Sequence, residues 1–131
     1  MMKSLLLVMG LVETATGLGL LASPPLVASL LLGAKLEGAV ASVVARVCGT
    51  ALLSLGIACF LAREGPHISA ATGLIIAMLV YNILVTGLLA YSVFGLGLMG
   101  IALWPAIAAH AALAIGCFAG VFYGDRTPDH S

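Results

Sequence analysis

Four long apolar runs, separated by short polar or glycine-rich connections, set the pattern of the chain. They extend from about Ser4 to Ala22, Gly38 to Ala62, Ser69 to Tyr91 and Leu98 to Phe122. Each is close to or above the ~20 residues that a helix needs to cross the ~30 Å hydrocarbon core of a bilayer. The pattern predicts an all-α fold, an integral membrane bundle of four transmembrane helices, forming one domain over residues 1–123. The tail 124–131 is polar, carries Pro128, and is expected to be disordered.

The connection after the first run predicts a further, shorter element. Ser23-Pro24-Pro25 stops the first helix, because proline lacks a donor and disfavours helix in the residue before it. Leu26 to Leu32 is then apolar but too short to span, Gly33 ends it, and Lys35 and Glu37 mark water. A short interfacial helix over residues 25–33 fits best, with a shallow re-entrant turn or a hydrophobic loop folded over the bundle end as alternatives.

Composition sharpens the class. Of 131 residues, 63% are hydrophobic and 8% charged, with a mean hydropathy of +1.25. A water-soluble domain of this size needs a charged surface, so the bilayer is the expected solvent and partner. The net charge is +0, and no basic stretch offers a nucleic-acid surface. Lys3 and Leu5 to Leu11 resemble the start of a signal peptide. Glu13 interrupts that run, though, and no small-x-small site precedes the proline pair, so a retained first span is expected. With four spans, Lys3, Arg63 and Arg126 share one side against Lys35 on the other. The positive-inside rule then places both termini in the cytoplasm, with a bacterial inner membrane as the expected location.

The candidate chemistry lies inside the spans. Counting from the outer ends at ~1.5 Å per residue puts Glu13 about 13 Å deep, Arg46 about 11 Å, Asn82 about 13 Å and His110 about 16 Å. Each helix thus contributes one strongly polar side chain to a single expected layer. Ser42, Arg46, Thr50 and Ser54 form a stripe on the second span with Gly49 beside it. Met78, Asn82 and Thr86 form one on the third, with Tyr81 adjacent. These stripes are expected to face inward, since an unsatisfied polar group in lipid costs several kcal/mol. The expected layer is therefore Glu13, Arg46, Asn82, His110, Tyr81 and Thr50. On the fourth span, Ala108, Ala112, Gly116 and Gly120 make a small-residue stripe roughly opposite His110, suited to another span or a second copy of the chain.

Two uses of the layer are open. In one, Glu13 and Arg46 form an ion pair, buttressed by Asn82, that locks the helix register. In the other, the layer is a pocket for a proton, a quinone or a lipid head, with His110 the residue able to titrate near neutrality. Cys48, Cys59 and Cys117 have no CxxC or metal-ligand spacing, and Cys48 and Cys59 lie roughly 16 Å apart along one helix, so they are expected to be packing residues. A b-type haem needs two histidines at bundle depth and only His110 qualifies. No catalytic residue, metal or cofactor is assigned; quinone and lipid remain the candidate ligands. Trp104-Pro105 kinks or positions the start of the fourth span, where Trp104 either borders the pocket or anchors at the interface.

Glu13-Thr14-Ala15-Thr16-Gly17, then Pro25 and Leu30-Leu31-Leu32-Gly33, then Ala45-Arg46-Val47-Cys48-Gly49 with Leu55-Gly56, resembles small DoxX-like four-helix membrane proteins. The resemblance covers most of the chain, and its best-matched element, Arg-x-x-Gly, marks Arg46 and Gly49 as key positions. It implies an accessory subunit near a quinone or in a larger redox assembly. The chain is also similar to small multidrug transporters in having four spans and a glutamate in the first. An Arg46 against Glu13 and the long first connection depart from them. The leading expectation is a small non-catalytic membrane protein, an accessory subunit of a larger membrane complex or a homo-oligomer that binds a small hydrophobic ligand. The alternative is a small proton-coupled transporter using Glu13 or His110, and an enzyme acting alone ranks third.

Overall fold

A computed structural model describes residues 2–65 and 68–123. It contains five helices, α1 (Met2–Ala22), α2 (Pro24–Leu32), α3 (Ala39–Glu64), α4 (Ile68–Phe94) and α5 (Leu103–Tyr123), and no strand among the described residues. Four of them, α1, α3, α4 and α5, are long and apolar enough to cross a membrane. The expected tail 124–131 and the loop positions Pro66 and His67 lie outside the described residues.

One residue separates α1 from α2. Ser23 donates its N–H to Gly19 O at 2.8 Å, continuing the α1 ladder, while its own carbonyl accepts from Val27 N at 3.2 Å. Pro24 and Pro25 occupy the first turn of α2, where a missing N–H costs nothing. Gly33 closes α2 with φ 67°, and its N–H reaches Ser29 O. The short segment is thus a helix, and it docks on the α4–α5 connection: Ala102 N donates to Leu30 O at 2.8 Å. Gly100 lies so close that a Cβ there would run into the backbone of Leu30 and Leu31. This docking delays the last long helix from the expected Leu98 to Leu103, because residues 98–102 pass against α2 first. Pro105 then sits in the first turn of α5, where proline is tolerated.

The long helices form two antiparallel pairs. In the first, α1 and α3 approach backbone to backbone. A Cβ on Gly17 would meet Gly49 O at 2.7 Å, and one on Gly49 would meet Gly17 O at 2.8 Å. Gly56 abuts Thr14 in the same way, and Gly10 lies against the Phe60 ring. Small residues at a crossing let two helices gain contact along their whole length. The contacts also fix a single register, pairing Leu21 with Arg46, Gly17 with Gly49, Thr14 with Gly56 and Gly10 with Phe60. In the second pair, α4 and α5 meet through the Phe94–Trp104 edge contact, with centroids 6.1 Å apart, and through Asn82 and His110 nearer the middle.

The two pairs join around a core of Leu6, Met9, Cys59, Ala71, Ile75, Met78, Leu113 and Cys117. Large apolar side chains cover the outside, among them Val40, Val47, Leu61, Leu88 and Ile115. Two polar side chains, Glu13 and Asn82, are buried inside. The small-residue stripe of α5 is divided. Gly116 and Gly120 face Leu5 of α1, whereas Ala108 and Ala112 are exposed. Half of the stripe, suited to another span or a second copy, is therefore used by a span of the same chain.

Replacing Gly49 by leucine is expected to force α1 from α3 and lower stability by about 1–3 kcal/mol, the usual cost of overpacking. Gly73, which has open space at its Cβ position, should accept alanine without loss. Thermal melting of the two variants in detergent checks this; equal melting temperatures would show that the Gly17–Gly49 crossing does not hold the pair together.

Candidate functional site

Glu13 is 1% exposed, on the face of α1 turned toward α4. Tyr81 Oη donates to Glu13 Oε2 at 3.0 Å. The other carboxyl oxygen, Oε1, has no hydrogen-bond partner among the described residues. Thr14 Oγ1, wedged against Gly56, is a second buried oxygen in the same condition. A buried carboxyl with one oxygen unmet is costly, and such a group needs a specific explanation.

Tyr81 and Asn82 are neighbours on α4, so their side chains leave the helix about 100° apart. Tyr81 reaches α1, and Asn82 reaches α5. Asn82 Nδ2 donates to Met78 O at 2.7 Å, one turn back on its own helix. Its Oδ1 lies 2.7 Å from His110 Nδ1. An amide oxygen only accepts, so Nδ1 carries the hydrogen and Nε2 is the free acceptor of the neutral ring. Tyr81 and His110 also touch edge to face, with centroids 5.9 Å apart and an interplanar angle of 74°. A continuous polar strip therefore runs Glu13, Tyr81, His110, Asn82 across α1, α4 and α5.

The structure brings together four of the six expected layer residues and leaves two outside. Arg46 is the major correction: the Glu13–Arg46 pair does not form. Its Nε donates to Leu21 O at 3.3 Å and its Nη1 to Ser42 Oγ at 3.2 Å, on the exposed side of α3. Leu21 belongs to the last turn of α1, about two turns or roughly 12 Å beyond Glu13. Counting depths from the span ends put the two residues level. The Gly17–Gly49 crossing instead slides α3 along α1 and carries Arg46 to the end of that helix. There its cation meets a carbonyl at the negative end of the helix dipole. Thr50 is likewise exposed, donating to Arg46 O at 3.0 Å, and Ser54 donates to Thr50 O at 2.9 Å. The α3 stripe satisfies itself on its own backbone, which is why it need not turn inward. Among the described residues one ion pair is formed, Arg63–Glu64 at 3.3 Å.

Of the three cysteines expected to be packing residues, two lie in the core and Cys48 does not. Cys59 and Cys117 are fully buried and Cys48 is exposed, all three as free thiols. Cys117 Sγ donates to Met9 Sδ at 3.6 Å. The available signal was phase: Met9 stands one turn before Glu13, and Met78 one turn before Asn82.

Stability should rank these residues by geometry. Asn82→Leu leaves the His110 N–H unpaired and is expected to cost about 1–3 kcal/mol. Arg46→Gln removes an exposed carbonyl contact worth about 0.3–1 kcal/mol. Detergent melting curves check the ranking; a larger loss from Arg46→Gln would restore it to the core of the fold.

Compared with known proteins, the chain matches no family model, and no curated protein and no solved structure is significantly similar to it.

Proposed function

We propose that the chain is a four-span integral membrane protein that binds a proton exchangeably at Glu13 and works as a small proton-coupled carrier. One observation carries this reading. Glu13 is buried and, among the described residues, holds a single hydrogen bond from Tyr81 and has no cation beside it. Neutrality at that position must come from a proton or from a cationic ligand, because an isolated carboxylate in an apolar interior is very costly. Arg46, the residue that would have suppressed exchange by neutralising Glu13, bonds elsewhere. An ionisable residue inside a span is a functional candidate by default. Tyr81 positions the carboxyl, and the Asn82-oriented His110 ring beside Tyr81 is the next group able to take a proton.

In this reading α1, α3, α4 and α5 cross the membrane and α2 lies in the interface, which its apolar sequence and docked position over the α4–α5 connection support. Lys3 and Arg63 lie on the cytoplasmic side of a bacterial inner membrane.

A second reading has a separate support. A recess of about 320 Å³ between α1, α2 and α5 is lined by residues including Thr16, Gly19, Val27, Leu31 and Ala106, and is almost wholly apolar. It suits an acyl or isoprenoid chain, as the DoxX-like resemblance and a small accessory subunit near a quinone would require.

Reconstitution into liposomes with an internal pH dye tests the first reading. An imposed pH gradient should collapse faster with the native chain than in protein-free vesicles. Glu13→Gln should abolish the difference, and Tyr81→Phe should reduce it. No flux, together with recovery of the protein from native membranes in a larger complex with bound quinone, would overturn the carrier and favour the subunit.

A further inference from the structure

Four sulfur-bearing side chains belong to the buried core of the bundle, one from each long helix: Met9 of α1, Cys59 of α3, Met78 of α4 and Cys117 of α5. All four residues are 0% exposed and belong to one buried cluster. The helix register places them at one level. Gly10 packs on Phe60, which puts Met9 beside Cys59. Tyr81 reaches Glu13, so Met78 stands about level with Met9, each roughly one turn along its own helix from that contact. Cys117 Sγ touches Met9 Sδ at 3.6 Å. Cys59 lies within electrostatic reach of both Cys117 and Glu13. The sulfur level therefore adjoins the Glu13–Tyr81 contact, one turn away.

We infer that these four side chains form a binding site for a soft monovalent metal ion, of the Cu(I) or Ag(I) class. Donor type argues for it. Thiolates and thioethers together select soft ions, while carboxylate and imidazole sets suit harder ones. No group of three or more His, Cys, Asp or Glu residues is placed to hold a metal among the described residues, so a zinc-type site is not assembled. The thioethers complete a set of four that the thiols alone do not make. Distance argues for it as well. Sulfurs around an ion at a metal–sulfur distance of ~2.3 Å lie ~3.8 Å apart in a tetrahedron, close to the Cys117–Met9 separation. A monovalent ion also suits the charge of the surroundings. One thiol losing its proton to bulk water on binding gives a neutral thiolate–ion unit, which a buried site accepts. No electron transfer is involved. Met2, packed against the same core two turns nearer the start of α1, provides a thioether step on the way in.

The inference does not depend on proton transport, since an inert Glu13 leaves the sulfur set intact. The test uses the full chain in detergent with Cys48→Ser, which removes the exposed thiol. Anaerobic titration with Cu(I) against a chromogenic Cu(I) chelator should show one ion retained per chain, and X-ray absorption should show a sulfur-only shell. Cys59→Ser and Cys117→Ser should each weaken binding on the order of 100-fold, and Met9→Leu or Met78→Leu less, on the order of 10-fold. The methionine variants conserve volume, so they keep the test open if a serine variant fails to fold. Retention of no ion by the Cys48→Ser chain, or nitrogen and oxygen ligation in the absorption spectrum, would overturn the site and leave the sulfurs as core packing. Unchanged binding in the folded methionine double variant would overturn the four-sulfur set.

Discussion

The close crossing of α1 and α3 at Gly17 and Gly49 is the constraint on which the remaining structure depends. Neither position has room for a side chain, because the opposing carbonyl occupies the space that a Cβ would fill. Two backbones at that separation gain dispersion contact along more than three turns, where lipid offers apolar side chains no comparable preference for one register over another. The crossing decides what lies beside what. It puts Phe60 on Gly10, Gly56 on Thr14, and Arg46 against the final carbonyls of α1. Everything polar in the interior is arranged around that alignment.

One consequence is a carboxyl group without a counter-charge among the described residues. The α1–α3 alignment carries Arg46 away from Glu13, so the partner comes from α4 and is a neutral phenol. The surrounding polar groups are closed off differently. Asn82 is satisfied on both sides, by Met78 O and by the His110 ring, and fixes the tautomer of that ring. Thr50, Thr86 and Ser54 all return to their own helix. Glu13 Oε1 and Thr14 Oγ1 remain as the unmet buried oxygens among the described residues. A fold that satisfies its polar groups so consistently on backbone carbonyls makes the exception at Glu13 informative, and that exception carries the functional reading.

Beneath Glu13 the interior changes character within one turn, from oxygen and nitrogen groups to sulfur and aliphatic ones. Met9, Cys59, Met78 and Cys117 knit the α1/α3 pair to the α4/α5 pair. Sulfur side chains suit such a junction mechanically, being polarizable and adaptable to irregular gaps. The same placement makes them the soft donor set proposed above. The core that joins the two helix pairs and the set of soft ligands are thus the same atoms.

Much of the architecture is present in the sequence because it is local. Four apolar runs of spanning length, the Pro24-Pro25 stop, the short Leu-rich segment and Gly33 each dictate a helix or its end through hydrophobicity and backbone chemistry within a few residues. The presence of polar side chains near the middle of the runs is equally plain, as is the placement of Tyr81 beside Asn82 on adjacent helix faces. What the sequence could not decide is which of those side chains meet. Depth counted from each span end assumes that all helices begin level, whereas contact depends on the axial slide and rotation of one helix against another. Those are set by non-local events: two glycines meeting across α1 and α3, and Gly100 lying under the backbone of α2. A slide of two helical turns, roughly 11 Å, leaves every local feature of the sequence unchanged yet separates Arg46 from Glu13 completely. The helices follow from their own residues; the site follows from their register, which only the packed bundle determines.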